Sequence, residues 1–146
     1  KAASSPHSFL GIDENGKVII AETCGNKYGH LVMRGGTGGP NYSSEHVASA
    51  RVLLQKANIS NGIMVDCSHA NSNKDYRQQH TAFLDVTEQI QQGNKLIVGL
   101  MLESFLHEGS QLFDKPQNLE YGVSVTDKCI GWEETEELIH SLACIL

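Results

Sequence analysis

The stretch Gly62-Ile63-Met64-Val65-Asp66-Cys67-Ser68-His69-Ala70-Asn71-Ser72-Asn73 joins a short apolar run to a polar turn. Ile63, Met64 and Val65 are apolar and partly β-branched, which suits a strand buried on both faces. Asp66, Ser68, His69, Asn71, Ser72 and Asn73 follow at once and can bind metal, phosphate or a helix N-terminus. In barrels and doubly wound sheets the chemistry sits at the C-terminal ends of the strands. This pattern sets His69 at such an end.

Two other runs repeat the arrangement. His30 to Met33 is a short strand ending in Arg34-Gly35-Gly36, where glycines allow close approach and a planar guanidinium suits phosphate or carboxylate. Without that neighbourhood, Arg34 reads equally well as a surface arginine before a flexible loop. Lys95 to Leu102 is a third strand and ends in Glu103. Between them, Ser43 or Ser44 caps a helix whose core stripe is Val47, Ala50, Leu54 and Ala57, widened by Leu53. A second helix is expected from Ser72 or Asn73 to Gln92, with Tyr76, Phe83, Val86 and Ile90 buried, His80 facing solvent and Gly93 as the stop.

The chain begins with a hairpin, Ser8 to Ile12 and Lys17 to Glu22, turning at Asn15-Gly16. After Glu103, residues 104–120 show no regular pattern, and the loop 121–131 carries Asp127. A last helix, Glu133 to Leu146, places acids in its first turn, where they favour the helix dipole. Its inner face is Leu138, Ile139 and Leu142. A hairpin followed by three β-loop-α units predicts an α/β fold with a parallel sheet. A closed (β/α)₈ barrel takes ~250 residues, so these elements suit a small open sheet or part of a barrel. His69, Glu103 and Asp127 then meet at one face, a nitrogen and two carboxylates that fit Mn²⁺, Fe²⁺ or Zn²⁺. Glu103, directly after its apolar run and standing alone, would more often cap a helix or form a salt bridge.

Composition bounds the function classes. The 146 residues are 40% hydrophobic and 19% charged, the profile of one soluble globular unit. A net charge of -6 without lysine or arginine runs disfavours nucleic acid and anionic membranes as partners. Cys24, Cys67, Cys129 and Cys144 have neither CxxC spacing nor disulfide-scaffold density, so reduced thiols and a cytoplasmic location are expected. No apolar segment approaches the ~20 residues of a membrane span.

Leu31-Val32-Met33-Arg34-Gly35-Gly36, Pro40-Asn41-Tyr42-Ser43, Asp66 to Ser72, Met101-Leu102-Glu103-Ser104 and Val125 to Trp132 carry a resemblance. Together they resemble the C-terminal part of the type I 3-deoxy-D-arabino-heptulosonate 7-phosphate (DAHP) synthases, from Ser8 to Leu142. The resemblance implies residues 30–146 as the last three β/α units of a (β/α)₈ TIM barrel, with an inserted regulatory hairpin at 8–23. It implies the first step of the shikimate pathway: phosphoenolpyruvate condenses with erythrose 4-phosphate, releasing phosphate, with a divalent metal (Mn, Fe, Co or Zn). His69, Glu103 and Asp127 match three of the family's four metal ligands, and Arg34 matches an arginine that binds the phosphate of phosphoenolpyruvate. Phe9, Gly11 and Ala21 match positions lining the pocket for a feedback amino acid. Glycine at position 11 implies tyrosine rather than phenylalanine as the effector, and a homo-oligomer is usual for the family.

The family's fourth metal ligand, a cysteine, and its Lys-Pro-Arg-Thr, Gly-Ala-Arg-Thr and Lys-Asn-Gly motifs have no counterpart here. Cys67 does not match the ligand cysteine. The expectation is that the full enzyme turns over and these residues alone do not. A non-catalytic metal- or effector-binding fragment of the same ancestry is the alternative. The related arabinose 5-phosphate synthases fit the hairpin and the Val125 to Trp132 stretch less well.

Overall fold

A computed structural model describes the whole chain, Lys1–Leu146. Its centre is a three-stranded parallel sheet. After a 3₁₀ turn at Ala2–Ser4, strands β1 (His7–Ile12) and β2 (Val18–Thr23) form a separate antiparallel hairpin, Phe9 facing Ala21 and Gly11 facing Ile19. Asp13 builds its turn: Oδ1 accepts the N–H groups of Asn15 and Lys17, and Gly16 takes φ +76°. That is the side-chain-to-backbone chemistry of an Asx turn.

Strands β3 (Leu31–Met33), β4 (Ile63–Asp66) and β5 (Ile97–Met101) lie in the order β3-β4-β5. Helices α1 (Ser44–Lys56) and α2 (Gln78–Gln91) follow β3 and β4, and α3 (Trp132–Ala143) closes the chain. Being central, β4 has Ile63 and Val65 fully buried on one face, but on the other Met64 is only partly covered, so burial on both faces is met in part. Met33, Val47, Ala50, Val86 and Ile97 complete one core cluster around them, and Phe83, Tyr76, Ile130 and Leu138 anchor a second. The fold is α/β, and no helix is long and apolar enough to cross a membrane.

Several expectations are corrected. Helix α2 starts at Gln78, not at Ser72 or Asn73. Residues 68–77 instead wind through successive turns, with His69, Asn73 and Lys74 at positive φ and Ser72 Oγ donating to His69 O. Ser72 satisfies a backbone carbonyl locally, in competition with the helix, while the buried Asn71 bonds to Met33, Asp66 and Asn41 outside the segment. Tyr76 is buried as expected, but on this loop and not on the helix. Leu53, placed in the α1 stripe, is 67% exposed, because the stripe that meets the sheet is centred on Val47 and Ala50. Ile139 is likewise exposed on α3, whose inner face is Thr135 and Leu138 with Leu142 partly buried. That helix also stops at Ala143.

Candidate functional site

The strands β3, β4 and β5 end side by side, and the residues beyond them are Arg34, Cys67 to His69, and Glu103. Close contact of the first two loops requires Gly35. Its φ is +71°, and a Cβ there would sit 2.8 Å from Ala70 Cβ and 2.9 Å from Asn71 N. The fully buried Asn71 then ties three segments together. Its Nδ2 donates to Met33 O (3.1 Å) and Asp66 O (2.8 Å), and its Oδ1 accepts from Asn41 N (2.7 Å). Asn41 in turn accepts from Gly35 N at 2.8 Å.

His69 leaves this loop at φ +54°. Its Nδ1 lies 2.7 Å from Asp66 Oδ2 and 2.8 Å from Ser68 Oγ, and its Nε2 lies 3.4 Å from Glu103 Oε1. Glu103 is held by a residue that the sequence reading passed over. The Gln79 amide donates to Glu103 O (3.1 Å) and accepts from Glu103 N (2.8 Å), so the first turn of α2 clamps the end of β5. Gln79 falls between Tyr76 and Phe83 on the buried side, and a fully buried amide among apolar residues is a signal that it has a partner. Glu103 O also accepts from Ile130 N at 3.0 Å, which draws in the loop bearing Asp127.

One donor atom each from His69, Glu103 and Asp127 lie within 4.8 Å of one another. Arg34 lines the same cleft of about 640 Å³, with Lys74, Tyr76, Ser110, Thr126 and Lys128. Phe9, Gly11 and Ala21 do not join it; they share one face of the hairpin, where a Cβ on Gly11 would meet Ala21 Cβ at 3.5 Å. His80 is on the surface, 3.1 Å from Glu134 Oε1. Burial holds the Glu103 carboxyl above its usual range; His69 and Arg34 oppose this, while Asp127 and Asp66 push it further up. Desolvation leads that shift, for the cleft itself is lined by Arg34, Lys74 and Lys128 against Glu103 and Asp127. One nitrogen and two carboxylate oxygens gathered this closely are a donor set that fits a divalent cation.

Residues 1–140 match the DAHP synthetase I family. The chain belongs to that family. It is 47% identical, over 97% of its length, to the Tyr-sensitive phospho-2-dehydro-3-deoxyheptonate aldolase of Salmonella typhimurium, of which it covers 40%. The Trp-sensitive aldolase of Escherichia coli is 44% identical over 98% of the chain and 41% of that protein. Among solved structures, the Francisella tularensis phospho-2-dehydro-3-deoxyheptonate aldolase superposes with a TM-score of 0.93 at 44% identity, over 99% of this chain and 42% of that one. The chain therefore spans about two fifths of the length of these DAHP synthetase relatives. Within the family match lie the hairpin, the parallel sheet, Arg34, His69, Glu103 and Asp127.

Proposed function

We propose that these residues form part of a DAHP synthase, an enzyme condensing phosphoenolpyruvate with D-erythrose 4-phosphate to DAHP and phosphate. They correspond to the last three β/α units of a (β/α)₈ barrel, in which β3, β4 and β5 are neighbours. The observation that carries this reading is the convergence of His69, Glu103 and Asp127 on one cleft with Arg34, in a chain of this family. These three residues would hold a divalent metal, of which Mn, Fe, Co and Zn all suit the donor set. When bound, that metal supplies Lewis-acid polarisation of the erythrose 4-phosphate aldehyde.

The remaining work falls to the side chains. Arg34 holds the phosphate of phosphoenolpyruvate by its planar fork and neutralises charge as phosphate departs. Lys74 and Lys128 raise the positive charge along the cleft, which suits two phosphorylated substrates. Glu103 binds as carboxylate, and His69 as neutral imidazole. Residues 8–23 form a regulatory hairpin. Phe9, Gly11 and Ala21 on its shared face line a site for a feedback amino acid, with tyrosine favoured over phenylalanine. Two relatives bear names that state aromatic amino-acid sensitivity, one to tyrosine and one to tryptophan.

The test is erythrose-4-phosphate-dependent loss of phosphoenolpyruvate with added Mn²⁺, on this chain and on the chain extended upstream. Turnover in the extended form alone, abolished by His69→Ala, is the expected result. If neither form turns over while both are folded, the synthase reading fails.

A further inference from the structure

We propose that Asp66 is a positioning residue that sets the tautomer of His69 and aims Nε2 at the metal-binding cleft. The inference rests on the metal reading above, but its evidence lies beneath the imidazole. Asp66 is the last residue of β4, and it is 1% exposed. A buried carboxylate of this kind needs hydrogen-bond donors around it. Three are present. Ser68 N–H donates to Oδ1 at 2.8 Å, the Ser68 hydroxyl donates to the same oxygen at 2.5 Å, and His69 Nδ1 lies 2.7 Å from Oδ2.

Proton placement follows from these contacts. An ionised carboxylate only accepts, so the proton between Asp66 and the ring sits on Nδ1. Ser68 Oγ, 2.8 Å from the same ring nitrogen, has its own proton committed to Asp66 and can only accept from Nδ1. Both neighbours therefore demand Nδ1–H. The neutral ring then has its lone pair on Nε2, the atom 3.4 Å from Glu103 Oε1. A carboxylate behind a metal-binding histidine also raises the ring's basicity as a ligand.

The backbone that bears the carboxylate is fixed in place. Its residue sits in the β4 ladder opposite Met101, and its carbonyl accepts from Asn71 Nδ2 at 2.8 Å. His69 is fixed at the other end of the contact by its left-handed backbone. The spacing of three residues across that turn is what lets one carboxylate reach both Ser68 and the ring.

The test has two arms, both on the upstream-extended chain named above. In the metal-free protein at alkaline pH, above the ordinary histidine range of ~6.5, ¹⁵N imidazole shifts of His69 report which nitrogen carries the proton, with His69→Gln for assignment. Protonation at Nδ1 is expected; a proton on Nε2 overturns the proposal without any variant of Asp66 having to fold. In the second arm, Mn²⁺ binding is titrated on wild type and on Asp66→Asn, whose amide can turn its N–H₂ towards Nδ1. A loss of ~10–100-fold in affinity is expected, together with a shift of the proton towards Nε2. Unchanged Mn²⁺ affinity and an unchanged tautomer in Asp66→Asn overturn it. A wild type that binds no Mn²⁺ sinks the metal reading, while the tautomer arm still decides what Asp66 does.

Discussion

The hairpin and the loop after β4 begin from similar strands and end in opposite surroundings. Phe9, Leu10, Ile12, Val18 and Ile20 are as apolar as Ile63, Met64 and Val65, yet all five are exposed, Leu10 by 76%. The hairpin is held by its own ladder and by the Asp13 turn. Strand β4 lies between two parallel neighbours under the packing of α1 and α2, and its end is tied by Asn71 and Asp66, as the end of β5 is by Gln79. Hydrophobic residue type thus gives the tendency to form a strand, while burial depends on what packs against it. Polar residues gain structural weight at the buried end, where an unmade hydrogen bond costs more than in water.

The largest expected contrast is in thiol chemistry. Cys24 follows the hairpin and is exposed; Cys67 follows β4 and is buried. Burial, reinforced by the Asp66 charge, pushes the Cys67 thiol from 9.0 up to about 12. Its thiolate fraction at neutral pH is then lower by roughly a thousandfold, since each unit is tenfold. Iodoacetamide labelling followed by peptide mass mapping should find Cys24 modified well before Cys67; equal rates would break the contrast. The linkage has a definite sign. Above the unfolded value of 9.0 only the unfolded thiol ionises, so stability falls as pH rises from there towards about 12.

Next in size is Asn71→Ala. It removes both donor contacts, to Met33 O and Asp66 O, and strands Asn41 N. With ~1–3 kcal/mol for a buried group left unpaired, the expected loss is about 3 kcal/mol in urea unfolding, with weaker Mn²⁺ binding because the His69 loop loosens. A loss below about 1 kcal/mol would mean that the loops are held by packing alone. The smallest effect belongs to the hairpin. Leu10→Thr keeps a strand-favouring residue at an exposed site, and its change should stay within about 0.5 kcal/mol. A larger loss in the same unfolding assay would show that the hairpin is not the independent element it resembles.

Much of the framework was legible in the residues. The Ile63 to Val65 run, the start of α1 after Ser43, Gly93 beyond α2 and the Asn15-Gly16 turn are local signals, and the elements formed where those signals lie. The placing of Arg34, His69 and Glu103 beyond successive strands followed from a repeated strand-then-functional-group order, whereas Asp127 comes from the loop 121–131. The start of α2 was not legible, because helical periodicity continues through 72–77 while the buried serine and asparagine contacts that oppose it come from the folded loop. Leu53 and Leu54 are equally apolar, and periodicity alone does not say which faces the sheet.

By itself, then, the sequence determined the alternation of strands and helices, the family, and the placing of ligand-type side chains at strand ends. Those are properties of residue order, read through periods of two and 3.6 and through turn chemistry. Only the tertiary structure decided which polar residues support the site. Gln79 meets Glu103 across 24 positions and Asn71 meets Met33 across 38, and Asp66 acquires its hold on His69 only once β4 is buried. Such contacts depend on packing distance and on the absence of water, neither of which is written in local sequence.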